Sequence, residues 1–255
     1  MRPSNAISFL ASEAPVAQTA LAELTEHYGQ VAVEDADVVV ALGGDGFMLE
    51  TLKAVQPLDL PVYGMNRGTV GFLMNEYSAD DLPLRLAEAE EATIHPLHMR
   101  AEDADGQIVE GMAINEVSLL REGPQAAQLK ISIDGKTRLE ELVCDGALVA
   151  TPAGSTAYNY SAHGPILPIG SEVLALTAVA PFRPRRWRGA LLPRSAVVRF
   201  DVINPAKRPV MADADGNPVR NVVSVEVASE QRVEHRILFD PGHGLEERLI
   251  REQFV

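Results

Sequence analysis

The sequence predicts an α/β chain in two parts. Residues 1–92 read as an α/β domain with a mainly parallel sheet, and residues 93–255 as a β-rich, antiparallel, sandwich-like domain. Three observations predict this. Up to about residue 90, short apolar runs alternate with stretches whose apolar residues recur at helical spacing, as in a sheet joined by crossover helices. After Ala92 the helical spacing gives way to short β-rich runs. Two Asp-Gly pairs, Asp105-Gly106 and Asp134-Gly135, then fall between runs as tight hairpin turns do. The C-terminal segment could pack back on the first domain.

Taken in order, Ala6–Ala11 is a short strand, and Pro15 opens a helix to about Tyr28 with Leu21 and Leu24 on its apolar face. Asp37–Leu42 is a continuous apolar run, suited to a strand buried on both faces of a parallel sheet. It breaks at Gly43-Gly44-Asp45-Gly46, after which Met48, Leu49, Leu52 and Val55 mark a helix. Leu60–Met65 is another buried strand. Asp80–Glu90 reads as a helix with Asp80 as N-cap. Residues 93–152 read as an antiparallel meander, and Ser155–Ala162 as one helical segment. Further strands are expected at Ala196–Val202, Val219–Val227 and Arg232–Phe239, and a closing helix at Leu245–Glu252.

Composition sets bounds. At 255 residues, with 46% hydrophobic and 23% charged residues, the chain can bury a substantial core. A net charge of −14 and a pI near 4.8 argue against general nucleic-acid binding, so any anionic ligand must be held by local groups. The single cysteine, Cys144, excludes an intrachain disulfide and fits a reducing cytoplasm. No signal-peptide pattern occurs and no apolar run reaches the roughly 18 residues of a membrane span. The expectation is a soluble cytoplasmic protein with neither nucleic-acid nor membrane partners.

The chemistry concentrates in a few places. A strand, a glycine turn and a helix start let backbone N–H groups face an anion. Asp45, inside that turn, would repel phosphate. It suits accepting a hydroxyl proton or holding a metal, although it could also simply cap the helix. Asn115-Glu116 lies between apolar runs, where a buried carboxylate needs a reason to be present. From Asp145 to Ser161 a strand runs into Pro152. Small residues follow, and Ser155, Thr156, Tyr158 and Ser161 offer hydroxyls near one helix face, fit for a sugar or a base. Asp213-Ala214-Asp215-Gly216 reads as a hairpin turn rather than a late ligand contact, and Arg183–Arg188 as a solvated basic run rather than a phosphate contact. His95 and His98 have metal-ligand spacing without partners to complete a set, so no structural metal is expected. No P-loop pattern occurs, and Gly64, Gly68 and Gly71 lack dinucleotide-fold spacing.

Together these clusters resemble the NAD kinase family. The matching segments are Gly43-Gly44-Asp45-Gly46, Asn66-x-Gly68-x-x-Gly71-Phe72-Leu73, Asn115-Glu116, and the stretch from Asp145-Gly146 to Thr156-Ala157-Tyr158-x-x-Ser161. The first motif also occurs in 6-phosphofructokinases and lipid kinases, whereas the last is specific. Departures are Phe47 in place of a small hydroxyl residue, Ala153 in place of Thr or Ser, His163 in place of Gly, and the run Ala180–Pro184. They bear on donor and redox preference.

The resemblance implies transfer of the ATP γ-phosphoryl to the 2′-hydroxyl of the adenosine ribose of NAD, with Mg²⁺ on the phosphates and Asp45 as base. It implies that Gly44 and Gly46 keep the approach open and that Phe72 packs on adenine. Asn115 and Glu116 would hold ribose and adenine, while Ala153, Thr156, Ala157, Tyr158 and Ser161 line the NAD site. Asp145 and Ala180 would face the nicotinamide half, partly from a neighbouring subunit of a homodimer or homotetramer. A diacylglycerol- or sphingosine-type lipid kinase and a non-catalytic NAD(H)-binding regulator are the alternatives.

Overall fold

The computed structural model describes residues 6–69, 71–185 and 187–242. The closing helix expected at 245–252 lies outside the described residues. In chain order the elements are β1 (Ile7–Ala11), α1 (Pro15–Tyr28), β2 (Val38–Gly43), α2 (Asp45–Val55), β3 (Val62–Asn66), α3 (Leu82–Glu88) and β4 (Glu90–Ile94). Then come β5 (Leu97–Asp103), β6 (Ile108–Ala113), β7 (Glu116–Arg121), β8 (Ala127–Ile133), β9 (Lys136–Cys144) and β10 (Gly146–Ala150). A one-turn α4 (Tyr158–Ser161) precedes β11 (Val173–Val179), β12 (Gly189–Pro193), β13 (Val198–Val202), β14 (Val210–Ala214), β15 (Asn217–Val219), β16 (Val222–Ser229) and β17 (His235–Phe239). Two compact units divide at Ile94/His95 and again at Arg232/Val233.

The first unit is built on a five-stranded sheet of order β1-β2-β3-β17-β4. The pairs from β1 to β17 are parallel, and β4 joins antiparallel at the edge. All six residues of β2 are buried, which is why its sequence does not alternate. Helix α1 packs Ala17, Ala20 and Leu24 onto Phe9, Val38 and Val40. Strand β4 was missed in the sequence, where Asp80–Glu90 reads as helix. The helix begins at Leu82, with Pro83 in its first turn, and Asp81 rather than Asp80 occupies the N-cap without a side-chain cap bond. It stops at Glu88 because Glu90–Ile94 pairs with β17, about 145 residues downstream. A tertiary partner overrides local helical preference there.

The second unit is an antiparallel sandwich of two six-stranded sheets, ordered β12-β11-β10-β7-β14-β15 and β6-β5-β16-β13-β8-β9. The fold class expected from the sequence is the one found. Asp105-Gly106 and Asp134-Gly135 are the hairpin turns, with both Asp134 and Gly135 at positive φ, as a tight two-residue turn requires. Val117, Leu119 and Val149 of one sheet meet Leu129, Phe200, Val225 and Val227 of the other in a fully buried core. Strand β10 is buried along its whole length, because Leu148 and Ala150 on the outer face are covered by Leu167 and Tyr158.

One expected helix is broken. Ala153–Thr156 is a 3₁₀ turn, Ala157 leaves helical geometry at φ −89°, ψ −127°, and α4 starts afresh at Tyr158. The hydroxyls of residues 155, 158 and 161 therefore do not share one helix face. Ser155 is fully buried: its hydroxyl donates to Pro152 O and accepts from Leu167 N–H. It is a packing residue, with no hydroxyl left to offer a ligand.

Candidate active site

Strands β2 and β3 run parallel with Gly43 opposite Asn66, so the turns that follow them emerge together at the C-terminal edge of the sheet, where α/β sheets bind ligands. The turns touch backbone to backbone: a Cβ on Gly68 would lie 3.0 Å from the Gly44 Cα. Gly44 occupies the N-cap of α2 and Asp45 is its first residue. Asp45 does not cap its own helix. Its Oδ2 accepts N–H bonds from Gly71 (3.1 Å) and Phe72 (2.9 Å), and its Oδ1 accepts one from Leu73 (2.7 Å). A carboxylate has about four acceptor positions, so the loop occupies three and leaves room for an incoming hydroxyl. Gly71 must be glycine, since its φ is +80° and a Cβ would sit 2.6 Å from the Asn66 side chain. At Gly46 a Cβ would meet nothing within 4 Å, so that side of the turn is open.

The second polar cluster lies in the sandwich unit. The turn entering β7 is gripped by Asp215, whose carboxylate accepts the backbone N–H groups of Ile114 (2.6 Å), Asn115 (3.2 Å) and Glu116 (3.3 Å). Thr151 Oγ1 donates to Ile114 O and accepts from Gly154 N–H. Gly154 lies flat against Asn115: a Cβ there would fall 2.1 Å from Asn115 O. Glu116 is the electrostatic centre of this cluster. Burial, then the charges of Asp215 and Asp213, push its carboxyl up to about 8, against a bond from Tyr158 N–H that pulls the other way. Its Oε2 is buried with no hydrogen-bond partner, an arrangement costly in a folded chain and suited to a ligand donor.

Beside Glu116 stand the other expected residues of the long motif. Ala153 is buried, Thr156 is half-buried with its hydroxyl 3.4 Å from Ala153 O, Ala157 makes the backbone break, and Ser161 ends α4 exposed. Burial first, then the negative charges of Glu116 and Asp145, raise the Tyr158 phenol. Asp145 and Ala180 are together, but elsewhere: Asp145 N–H donates to Val179 O at the far end of β10 from Glu116. Five residues of strand at about 3.3 Å each put the two ends roughly 17 Å apart. Arg121 pairs with the Asp145 carboxylate at 2.6 Å. Ala180 takes a left-handed φ of 46°. His98 pairs with Glu110. Among the described residues no group of three or more His, Cys, Asp or Glu side chains could hold a metal ion, and no helix is long and apolar enough to cross a membrane. Sequence reasoning missed the grip of Asp215, weighing its segment as a hairpin turn or a ligand contact; nothing local in the sequence ties it to a turn about a hundred residues away.

An Asp-bearing glycine turn at the edge of a parallel sheet, in a chain with a β-sandwich carrying a buried carboxylate, defines a two-unit kinase with the Gly-Gly-Asp-Gly turn. Comparison with known proteins narrows the class. Residues 4–89 match the ATP-NAD kinase N-terminal domain and residues 114–231 the ATP-NAD kinase C-terminal domain. The NAD kinase of Cereibacter sphaeroides strain ATCC 17025 is 72% identical over 249 residues, 98% of either chain, and that of Hyphomonas neptunium is 58% identical over the same coverage. In structure the chain resembles yeast NADH kinase complexed with NADH (TM-score 0.82, 22% identity, 97% of this chain and 86% of that one). It also resembles an Archaeoglobus fulgidus NAD kinase in complex with ATP (TM-score 0.71, 23% identity, 97% and 96%). The chain belongs to the NAD kinase family, and it is an enzyme of that family.

Proposed function

We propose that this enzyme transfers the γ-phosphoryl of ATP to the 2′-hydroxyl of the adenosine ribose of NAD, releasing ADP and NADP. The observation that carries the mechanism is the Asp45 carboxylate, oriented by three backbone N–H groups with one acceptor position left. The ribose 2′-oxygen forms the new bond to phosphorus as the β,γ-bridging oxygen leaves with ADP, and the hydroxyl proton passes to Asp45. Little else is asked of the protein beyond alignment and charge neutralisation. Mg²⁺ would supply that neutralisation from the substrate phosphates that carry it, since the acceptor position left on Asp45 goes to the hydroxyl.

The remaining roles follow the family pattern. Glu116, with an unpartnered buried oxygen, and Asn115 hold ribose and adenine; Phe72 packs on the adenine. Ala153, Thr156, Ala157, Tyr158 and Ser161 line the NAD site, and Gly44 and Gly46 keep the turn open. The turn-bearing domain is residues 1–92 and the NAD-binding domain 93–255, except that the C-terminal segment from Val233 packs back on the first, β17 being a strand of its sheet. Asp145 and Ala180, one strand length from Glu116, serve the nicotinamide half of a neighbouring subunit's site in a homodimer or homotetramer. The setting is the cytoplasm.

The test is direct. Purified protein is incubated with Mg²⁺, ATP and NAD, and NADP is identified by mass and by an NADP-specific dehydrogenase. NADP formation is expected. Phosphorylation of diacylglycerol or sphingosine instead, or NAD binding without turnover, would replace this reading by a lipid kinase or a regulator.

A further inference from the structure

The loop that holds Asp45 is tied back to the sheet through a buried side chain. Asn75 is 1% exposed and stands where the loop from Asn66 returns to β3, bridged to Met65. Its backbone N–H donates to Gly64 O (2.7 Å) and its carbonyl accepts from Asn66 N–H (2.8 Å). Its side chain is fully engaged as well. Nδ2 donates to Gly64 O (3.0 Å) and to Leu238 O of β17 (2.9 Å), while Oδ1 accepts the N–H of Asp240 (2.9 Å). The Asp240 carboxylate in turn accepts from Arg85 Nη2 (2.6 Å) and from the Tyr63 hydroxyl. Arg85 donates on to Glu76 O and Ser78 O, the residues just past Asn75.

These bonds connect two strands and the loop. Gly71, Phe72 and Leu73, whose N–H groups orient Asp45, lie two to four residues before Asn75. Met74 N–H donates back to Gly71 O, making the intervening segment a closed turn. A shift of Asn75 therefore carries the three donors with it. Catalytic geometry is lost with displacements of about 1 Å, so the side chain that fixes the loop's return fixes the base.

We propose that Asn75 is a positioning residue for phosphoryl transfer, setting the Gly71–Leu73 N–H groups on Asp45 through its bonds to Gly64, Leu238 and Asp240. This rests on the reading of Asp45 as the base. It also means that the catalytic turn takes its final geometry only when β17, from the far end of the sequence, has docked beside β3.

The experiment uses the full-length enzyme and three variants. Asn75→Asp keeps size and shape but turns carboxylate oxygens toward the Gly64 and Leu238 carbonyls, where an amide donated. Leu24→Ala, on the buried face of α1 in the core of the same unit, hydrogen-bonds no part of the loop and serves as a control for lost stability. Asp45→Asn tests the chemistry. All are assayed below their Tm, with kcat, the KM for NAD and amide hydrogen exchange at residues 71–73. The expected result for Asn75→Asp is a kcat at least tenfold lower, a KM for NAD within twofold, and exchange at Gly71–Leu73 faster by tenfold or more. Leu24→Ala should keep kcat and that exchange within twofold even where its Tm falls as far.

Unchanged exchange at 71–73 in Asn75→Asp would overturn the inference whatever the kcat, as would equal losses in Leu24→Ala. Near-normal turnover in Asp45→Asn with faster exchange in Asn75→Asp would instead remove the base reading and leave the positioning of the loop standing.

Discussion

Two carboxylates in this chain face opposite environments. Asp45 is met by three N–H donors, whereas Glu116 has an unpartnered buried oxygen and two aspartates for neighbours. The second arrangement stores a cost that depends on pH. The Glu116 carboxyl is raised from its ordinary 4.5 to about 8, so the folded chain keeps a proton that the unfolded chain gives up. Its contribution to stability is complete below the ordinary carboxylate value. It is lost as pH rises through the window from about 4.5 to 8, and is level above it. Glu116→Gln, which cannot ionise, should lose none of it. Thermal unfolding of the ligand-free proteins at pH 5, 7 and 9 should show the variant gaining Tm relative to the parent as pH rises, while its NAD affinity falls. Parallel Tm profiles would mean that Glu116 is ionised at little cost and is not the buried acid described here. Cys144 follows the same physics, burial pushing its thiol up to about 12.

At the scale of elements, local signals and long-range ones separate cleanly. Pro15 and the apolar spacing behind it placed α1 at its observed bounds, and apolar runs placed β1, β2 and β3 to within two residues. The Asp-Gly pairs placed two hairpins. What escaped was set by partners distant in sequence: β4 depends on β17, and the turn at Asn115-Glu116 depends on Asp215, about a hundred residues away. The break at Ala157 escaped for another reason. Ser155 is consumed by bonds to Pro152 and Leu167, and no hydroxyl announces in sequence whether it will face a ligand or the core. Likewise Asp45 could be seen as the chemical residue of its turn but not as the acceptor of a loop 26 to 28 residues on. The residues of the site were legible as types in a familiar order; the bonds that orient them were not.

For the whole molecule, a net charge of −14 means that phosphate ligands are bound against the general field. In the proposed reaction local N–H groups and Mg²⁺ would do that work, and the proposed sharing of sites between subunits bears on it too. Asp145 and Ala180 sit a strand length from Glu116 in the same chain, although the Tyr158 phenol feels the charges of both Glu116 and Asp145. Reciprocal sharing between subunits can be tested by complementation. Asp45→Asn and Asp145→Ala proteins, each nearly inactive, are denatured in equal amounts and refolded together. Random pairing makes about half the dimers mixed, and each mixed dimer has one site free of both changes, so roughly a quarter of all sites should recover. Activity at the average of the two parents, despite confirmed exchange, would place Asp145 in its own chain's site. The base itself is tested by Asp45→Asn alone, with kcat from NADP formation and NAD affinity from direct titration. An asparagine also turns an amide against at least one of the loop's N–H donors, so loss of orientation adds to loss of the proton acceptor. Turnover should fall by roughly 10²–10⁴ while the Kd for NAD changes little; near-normal turnover would contradict the account.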